Sequence, residues 1–172
     1  MKIHQTLGEN QKSAQSVPLQ FIIAGKGHLE DPYVHECQKL LDTIKQQFPT
    51  NVWWDFDLFF TEGALLNVGS DFGLVPSQFE PGGLVQSEFL VMDTPVICSS
   101  TGGLKDTVVD IRERSQAGRQ QGAKANGLLV TPGSVEGLTS TILDAYDIFC
   151  DHTASLDRRK SFPNEKQNQT AY

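Results

Sequence analysis

The chain predicts an α/β domain built on a Rossmann-like, doubly wound parallel sheet. Three observations lead there. Short apolar runs at residues 19–24, 52–56, 72–75, 95–98 and 127–130 alternate with stretches of helical period. The order strand, helix, strand, helix repeats without hairpin signals, and strands that alternate with helices assemble in parallel. Glycine-bearing turns at Gly25, after Glu80 and after Thr101 each follow a predicted strand, so they share the carboxyl edge of the sheet, where such folds bind ligands.

The elements follow in order. Residues 1–18 are polar, rich in Gln, Asn and Ser, and read as a lead-in. The domain proper spans 19–150. Its first strand, 19–24, ends in Gly25-Lys26-Gly27, a turn that lacks the third glycine of a dinucleotide fingerprint and reads first as structural. Residues 33–48 place Tyr33, Cys37, Leu40, Leu41, Ile44 and Phe48 at helical spacing, and Pro49 stops the helix. A strand at 52–56 leads to a short helix at 61–68. The strand at 72–75 runs into Pro76, a helix follows at 83–91, and the strand at 95–98 precedes the second glycine pair. Residues 111–126 form a polar surface loop carrying Arg112, Arg114, Arg119 and Lys124. After the strand at 127–130, Ser134 caps a helix over 134–149, with Val135, Leu138, Ile142, Leu143, Tyr146 and Phe149 along one face. Residues 151–172 are polar and read as a disordered tail.

A length of 172 residues suits one domain, and a net charge of −7 argues against non-specific nucleic-acid binding, which needs surplus Lys and Arg. No apolar run is long enough to span a membrane, and residues 1–5 lack the apolar stretch of a signal peptide, so the expectation is a cytoplasmic protein. Cys37, Cys98 and Cys150 are odd in number and widely spaced, as expected of reduced thiols without a metal. His28 and His35 show no partner at metal-ligand spacing. No Ser-His-Asp or Cys-His arrangement is present.

The chemistry concentrates between Pro76 and Val109. Pro81 suits the first turn of a helix. Gly82 and Gly83 let a ligand approach the backbone, and the free amides near Gly83, Leu84 and Val85 can face an anion such as a diphosphate. Glu80 stands before this pair and Glu88 beyond it. The plainer alternative is an ordinary turn with an exposed glutamate. Thr101-Gly102-Gly103 repeats the device after the next strand, with a tight turn as its alternative. Phe59 and Phe60 either stack on a base or pack in the core.

Pro76-Ser77-Gln78-Phe79-Glu80-Pro81-Gly82-Gly83-Leu84-Val85-Gln86, then Thr94-Pro95-Val96, then Thr101-Gly102-Gly103-Leu104-Lys105-Asp106-Thr107-Val108, resembles the bacterial and plant glycogen/starch synthases. The resemblance covers residues 21–149 and is densest over 59–110. It implies the carboxyl-terminal, nucleotide-sugar-binding lobe of a two-lobed (GT-B) retaining glycosyltransferase that moves glucose from ADP- or UDP-glucose to an α-1,4-glucan without metal or cofactor. It further implies that Glu80 contacts the donor glucose and that Gly82, Gly83, Leu84 and Val85 cradle sugar and diphosphate. Thr101, Gly102 and Gly103 would form the neighbouring turn, with Gly25 on the same edge. Phe60 falls near the aromatic that packs on the base, and Glu88 matches a glutamate that many retaining glycosyltransferases use near the ribose. In a photosynthetic lineage the expected compartment is the plastid.

The sequence also departs from that family. Gln78 stands where Arg is usual, and Asp93 where Gly is usual; Asp tolerates the left-handed conformation better than most residues. The Lys-x-Gly-Gly-Leu motif of the amino-terminal lobe and the Arg-Leu-x-x-x-Lys-Gly segment that neutralises the leaving diphosphate do not occur in these residues. The expectation is therefore a donor-binding lobe with little activity alone, its acceptor glucan meeting a missing amino-terminal lobe. The alternatives are a catalytically inactive nucleotide-sugar-binding or regulatory module, or an α/β domain that keeps the motif by descent.

Overall fold

The computed structural model describes residues 18–28, 30–57, 60–112 and 124–160; the side chains of residues 60–62 and 154–160 lie outside this description. The lead-in before residue 18, residues 113–123 of the polar loop and residues 161–172 of the tail fall outside it as well.

Strand β1 (Phe21–Ala24) is followed by helix α1 (Pro32–Gln47), β2 (Val52–Asp55), α2 (Phe60–Gly69), β3 (Gly73–Val75), α3 (Leu84–Val91), β4 (Val96–Ser99), α4 (Gly102–Thr107), β5 (Gly127–Val130) and α5 (Val135–Lys160). Every strand named from apolar runs is present, and the pairs β1-β2, β3-β4 and β4-β5 are all parallel. The strands fall into two sheets, β1-β2 and β3-β4-β5, rather than one.

Local chemistry explains the helix starts. Asp31 caps α1 by accepting the Tyr33 N–H at 2.9 Å, and Pro32 takes the first turn, where a missing N–H costs nothing. Ser134 accepts the Gly137 N–H at 3.0 Å, as a serine cap should. Helix α5 runs on to Lys160, so residues 151–160 extend that helix instead of beginning a disordered tail. Asp93 has φ of 59°, the left-handed turn that its place before Thr94-Pro95 demands.

The core shows why β4 is apolar at every position until Ser99. Val96 and Cys98 point to one face and pack with Val75, Leu104 and Val108, under Phe89 and Leu90 of α3. Ile97 points to the other and packs with Leu128 and with Ala145 of α5. The two-residue period of the strand thus feeds a helical layer on each face, which is the doubly wound arrangement.

Cys98 is fully buried, and burial pushes its thiol up to about 12. Cys37 and Cys150 are half-buried, and all three are free thiols. Iodoacetamide on the native protein should therefore label Cys37 and Cys150 well before Cys98, because the thiolate is the nucleophile. Peptide mapping by mass spectrometry checks this order; equal labelling of Cys98 without denaturant would contradict the packing of β4.

Candidate functional site

The two glycine turns after β3 and β4 are in contact. Gly83 adopts the left-handed conformation, φ 67° and ψ 61°, at the start of α3. That bend folds the chain back so that the Gly83 N–H donates to Glu80 Oε1 at 3.0 Å. The amide that the sequence assigns to an anion therefore caps itself with the glutamate three positions earlier. A carboxylate has capacity for further donors, so this bond orients Glu80 without exhausting it. The first N–H groups of α3 beyond it, at Leu84 and Val85, have no partner within the helix by construction.

Across the contact, the Gly103 N–H donates to the Glu80 carbonyl at 3.3 Å. Gly102, at φ 44°, lies so close to that carbonyl that a Cβ would overlap it, and a Cβ on Gly103 would stand 2.8 Å from the Gly82 carbonyl. Gly102 and Gly103 are thus required by the approach of one turn to the other. Nothing stands within 4 Å of a Cβ on Gly82, and its φ is not positive, so the fold itself does not demand glycine there.

A second tie lies behind the turns. Thr107 donates its hydroxyl proton to the Gly103 carbonyl at 2.8 Å and accepts from Gln86 Nε2 at 2.9 Å. Gln86 is fully buried, and its Oε1 faces Gly83 with no hydrogen-bond partner. Sequence reasoning passed over Gln86 and Thr107. The sequence carried little signal for Gln86, which opens a polar run with Ser87 and Glu88 and so reads as part of an exposed face.

Asp110 is the other residue the sequence did not single out. It is buried at 4% exposure and receives the Arg112 side chain through Nε at 3.0 Å and Nη2 at 2.7 Å. The backbone N–H groups of Leu129 and Arg112 also donate to it, each at 2.8 Å. Arg112 continues to Asp144 of α5 at 3.1 Å. Burial pushes the Asp110 carboxyl up, but the Arg112 hydrogen bond and the two backbone donors outweigh it, so its pKa lies below the usual value. This clasp fixes the chain leaving α4 against β5 and α5.

Two hollows lie beside the sheet, and the remaining predicted residues whose side chains are described border the larger. Pro76, Gln78, Ser99, Thr131 and Ser134 border a small one of about 190 Å³ at the carboxyl ends of β3, β4 and β5. Gly25, Leu84, Val85 and Glu88 border a larger one of about 1240 Å³. The structure therefore gathers Glu80, Gly82, Gly83, Thr101, Gly102 and Gly103 into one packed pair of turns, and brings Gly25 to the same hollow as the start of α3. The Phe60 side chain lies outside the described residues. Among the described residues, no helix is long and apolar enough to cross a membrane.

A parallel α/β domain with paired backbone turns at the carboxyl ends of its strands belongs to the class of Rossmann-like ligand-binding lobes. The chain belongs to the glycosyl transferases group 1 family, whose profile matches residues 3–148. It is 34% identical over 131 residues to a glycogen synthase of Hydrogenovibrio crunogenus, an overlap covering 76% of this chain and 25% of that protein. It is 54% identical over 93 residues to granule-bound starch synthase 1 of Ipomoea batatas, covering 54% of this chain and 14% of that one. The sucrose-phosphate synthase of Thermosynechococcus elongatus superposes with a TM-score of 0.55 at 26% identity, over 73% of this chain and 28% of that chain. The catalytic domain of starch synthase IV from Arabidopsis thaliana, solved with ADP and acarbose, shares the fold with a TM-score of 0.58 at 18% identity, over 85% of this chain and 34% of that chain. The chain spans about a quarter or less of the curated relatives it matches.

Proposed function

We propose that this chain is the donor-binding lobe of a glycogen/starch synthase-like glucosyltransferase, taking ADP- or UDP-glucose and serving transfer to an α-1,4-glucan with retention. One observation carries the reading: the glutamate that the resemblance assigns to the donor glucose is held at the start of α3 by the Gly83 N–H, within a paired turn that leaves the next amides of the helix free.

In this reading the Leu84 and Val85 amides meet the diphosphate, where negative charge grows as the glycosidic bond breaks and the sugar becomes oxocarbenium-like. Glu80 accepts hydroxyl protons of the glucose and orients the anomeric carbon, and its bond from Gly83 removes the freedom it would otherwise lose on binding. Gly82 leaves the approach to the backbone open, and Glu88 lies towards the ribose. No metal or cofactor is required, because backbone dipoles face the anion. The acceptor glucan would meet a second lobe outside these residues.

Calorimetry with ADP-glucose, UDP-glucose and the two free nucleotides tests the reading. One nucleotide sugar should bind, and Glu80→Ala should weaken it about tenfold to a hundredfold, equal to ~1.4–2.8 kcal/mol, while changing free nucleotide binding little. Gly82→Ala should fold within about 0.5 kcal/mol of the parent, since nothing crowds its Cβ, yet lose sugar-nucleotide affinity. Absence of heat with every ligand would refute the assignment. Transfer of labelled glucose to glycogen then asks whether the lobe acts alone.

A further inference from the structure

Among the described residues, Gln86 Oε1 is the buried side-chain acceptor that has no donor. The residue is fully buried beneath the paired turns. A buried polar atom without a partner is costly, and folded proteins keep few of them. Thr107 fixes the orientation of this amide. It spends its hydroxyl proton within its own helix, on the Gly103 carbonyl at 2.8 Å, so towards Gln86 it can only accept. It takes the Nε2 proton at 2.9 Å. That bond leaves Oε1 on the side of Gly83, against which the amide is packed.

The place of Gln86 in α3 says which donor it suits. Gly83 is the N-cap of α3, and Leu84, Val85 and Gln86 are the first three helical residues. A glutamine at the third position ordinarily reaches back to accept the N-cap N–H. Gln86 reaches back to that place, but the Gly83 N–H is given to Glu80 Oε1 at 3.0 Å. One backbone donor thus stands between two side-chain acceptors. The peptide that carries it has room to tilt. Its carbonyl, on Gly82, faces Gly103, which has no side chain to stop it, and nothing lies within 4 Å of a Cβ on Gly82.

We propose that Gln86 is a positioning residue: a reserve acceptor that takes the Gly83 N–H when the Glu80 carboxylate turns to a ligand. In the free protein Glu80 holds the turn. When hydroxyl groups of a ligand occupy its carboxylate, the Gly83 N–H passes to Gln86 Oε1. One hydrogen bond replaces another, and the orphaned acceptor gains its donor. The bend at Gly83 and the Leu84 and Val85 amides after it keep their direction throughout. Glu80 can therefore serve a polyhydroxyl ligand without loosening the helix start that faces the anion. The handover rests on the hydrogen bonds of the free protein; only the ligand that triggers it rests on the function proposed above.

Hydrogen-bond scalar couplings measured by NMR test it, because they name the acceptor of a given amide. In the parent without ligand, the Gly83 nitrogen should couple to the Glu80 carboxyl carbon. In Glu80→Ala it should couple to the Gln86 carboxamide carbon, and exchange of the Gly83 amide should rise by less than about threefold. In Glu80→Ala combined with Gln86→Met, exchange should rise about tenfold or more, since neither acceptor remains. Absence of coupling to Gln86 in Glu80→Ala, or exchange there as fast as in the double variant, would overturn the proposal whatever the protein binds. Calorimetry with ADP-glucose, UDP-glucose, ADP and UDP supplies the second arm. Gln86→Met should weaken the nucleotide sugar by about threefold to tenfold and leave the free nucleotide within about twofold, because only the sugar draws Glu80 away from Gly83. Equal weakening of both would show that Gln86 merely fills the core, and would sink the idea. If neither nucleotide sugar binds the parent, the donor assignment fails, and the couplings alone decide the handover.

Discussion

Gly102→Ala should destabilise the protein by about 2–4 kcal/mol and disable the paired turns together. Two costs add. The residue sits at φ 44°, where an L side chain is strained by ~1–2 kcal/mol. The new methyl would also overlap the Glu80 carbonyl, and a backbone atom cannot swing aside as a side chain can. The turns must separate, which breaks the Gly103-to-Glu80 hydrogen bond and loosens the segment that holds the Glu80 carboxylate. Thermal unfolding should fall by roughly 5–15 °C for a domain of this size. Gly133→Ala is the matched control: its φ is 73°, but nothing lies within 4 Å of the added Cβ, so it should lose only the conformational part. Equal shifts in the two variants would mean that the turns do not press on each other.

Asp110→Ala should cost about 2–3 kcal/mol, because it leaves the partly buried Leu129 N–H without an acceptor and strips Arg112 of its main partner. The figure stays below that of a fully buried ion pair because the Arg112 side chain is 39% exposed and water can solvate it. Asp144→Ala, at the exposed end of the same arginine, should cost less than about 1 kcal/mol. The pH dependence has a definite sign. The folded protein lowers the Asp110 pKa despite its burial, so the folded state prefers the carboxylate. Its contribution is complete above the unfolded value of about 3.9 and disappears as pH falls through the lower folded value. Urea midpoints of the parent and Asp110→Asn, taken from neutral pH down to pH 2, should therefore keep their gap to about pH 4 and converge below it. A constant gap across that range would show that the carboxylate charge is not what the clasp uses.

The order of elements was legible in the sequence because each rests on nearby residues. The apolar run Val96-Ile97-Cys98 needs only its own composition to read as a strand covered on both faces. Asp31-Pro32 and Ser134 mark helix starts through hydrogen bonds made within three residues. The end of α5 was misplaced because its last turns are polar, and polarity alone cannot separate a solvated helix from a tail. The clasp at Asp110 was hidden for a different reason. Its partners, Leu129 and Asp144, lie 19 and, through Arg112, 32 positions further along the chain from the groups they meet, and no local period links them.

The segment from Pro76 to Val109 divides along the same line. Its residue types alone determined that two glycine turns follow consecutive parallel strands and that a glutamate stands before the first, because turn chemistry and strand period are local. Only the tertiary structure decided that Gly102 and Gly103 are needed by the Glu80 and Gly82 carbonyls, that Gly82 is free of such a demand, and that Glu80 caps Gly83. It also decided that β1, apolar enough for the middle of a sheet, borders the larger hollow. The reason is common to all of these: a steric limit or an unpaired edge belongs to two pieces of chain at once, and it exists only where folding has brought them together.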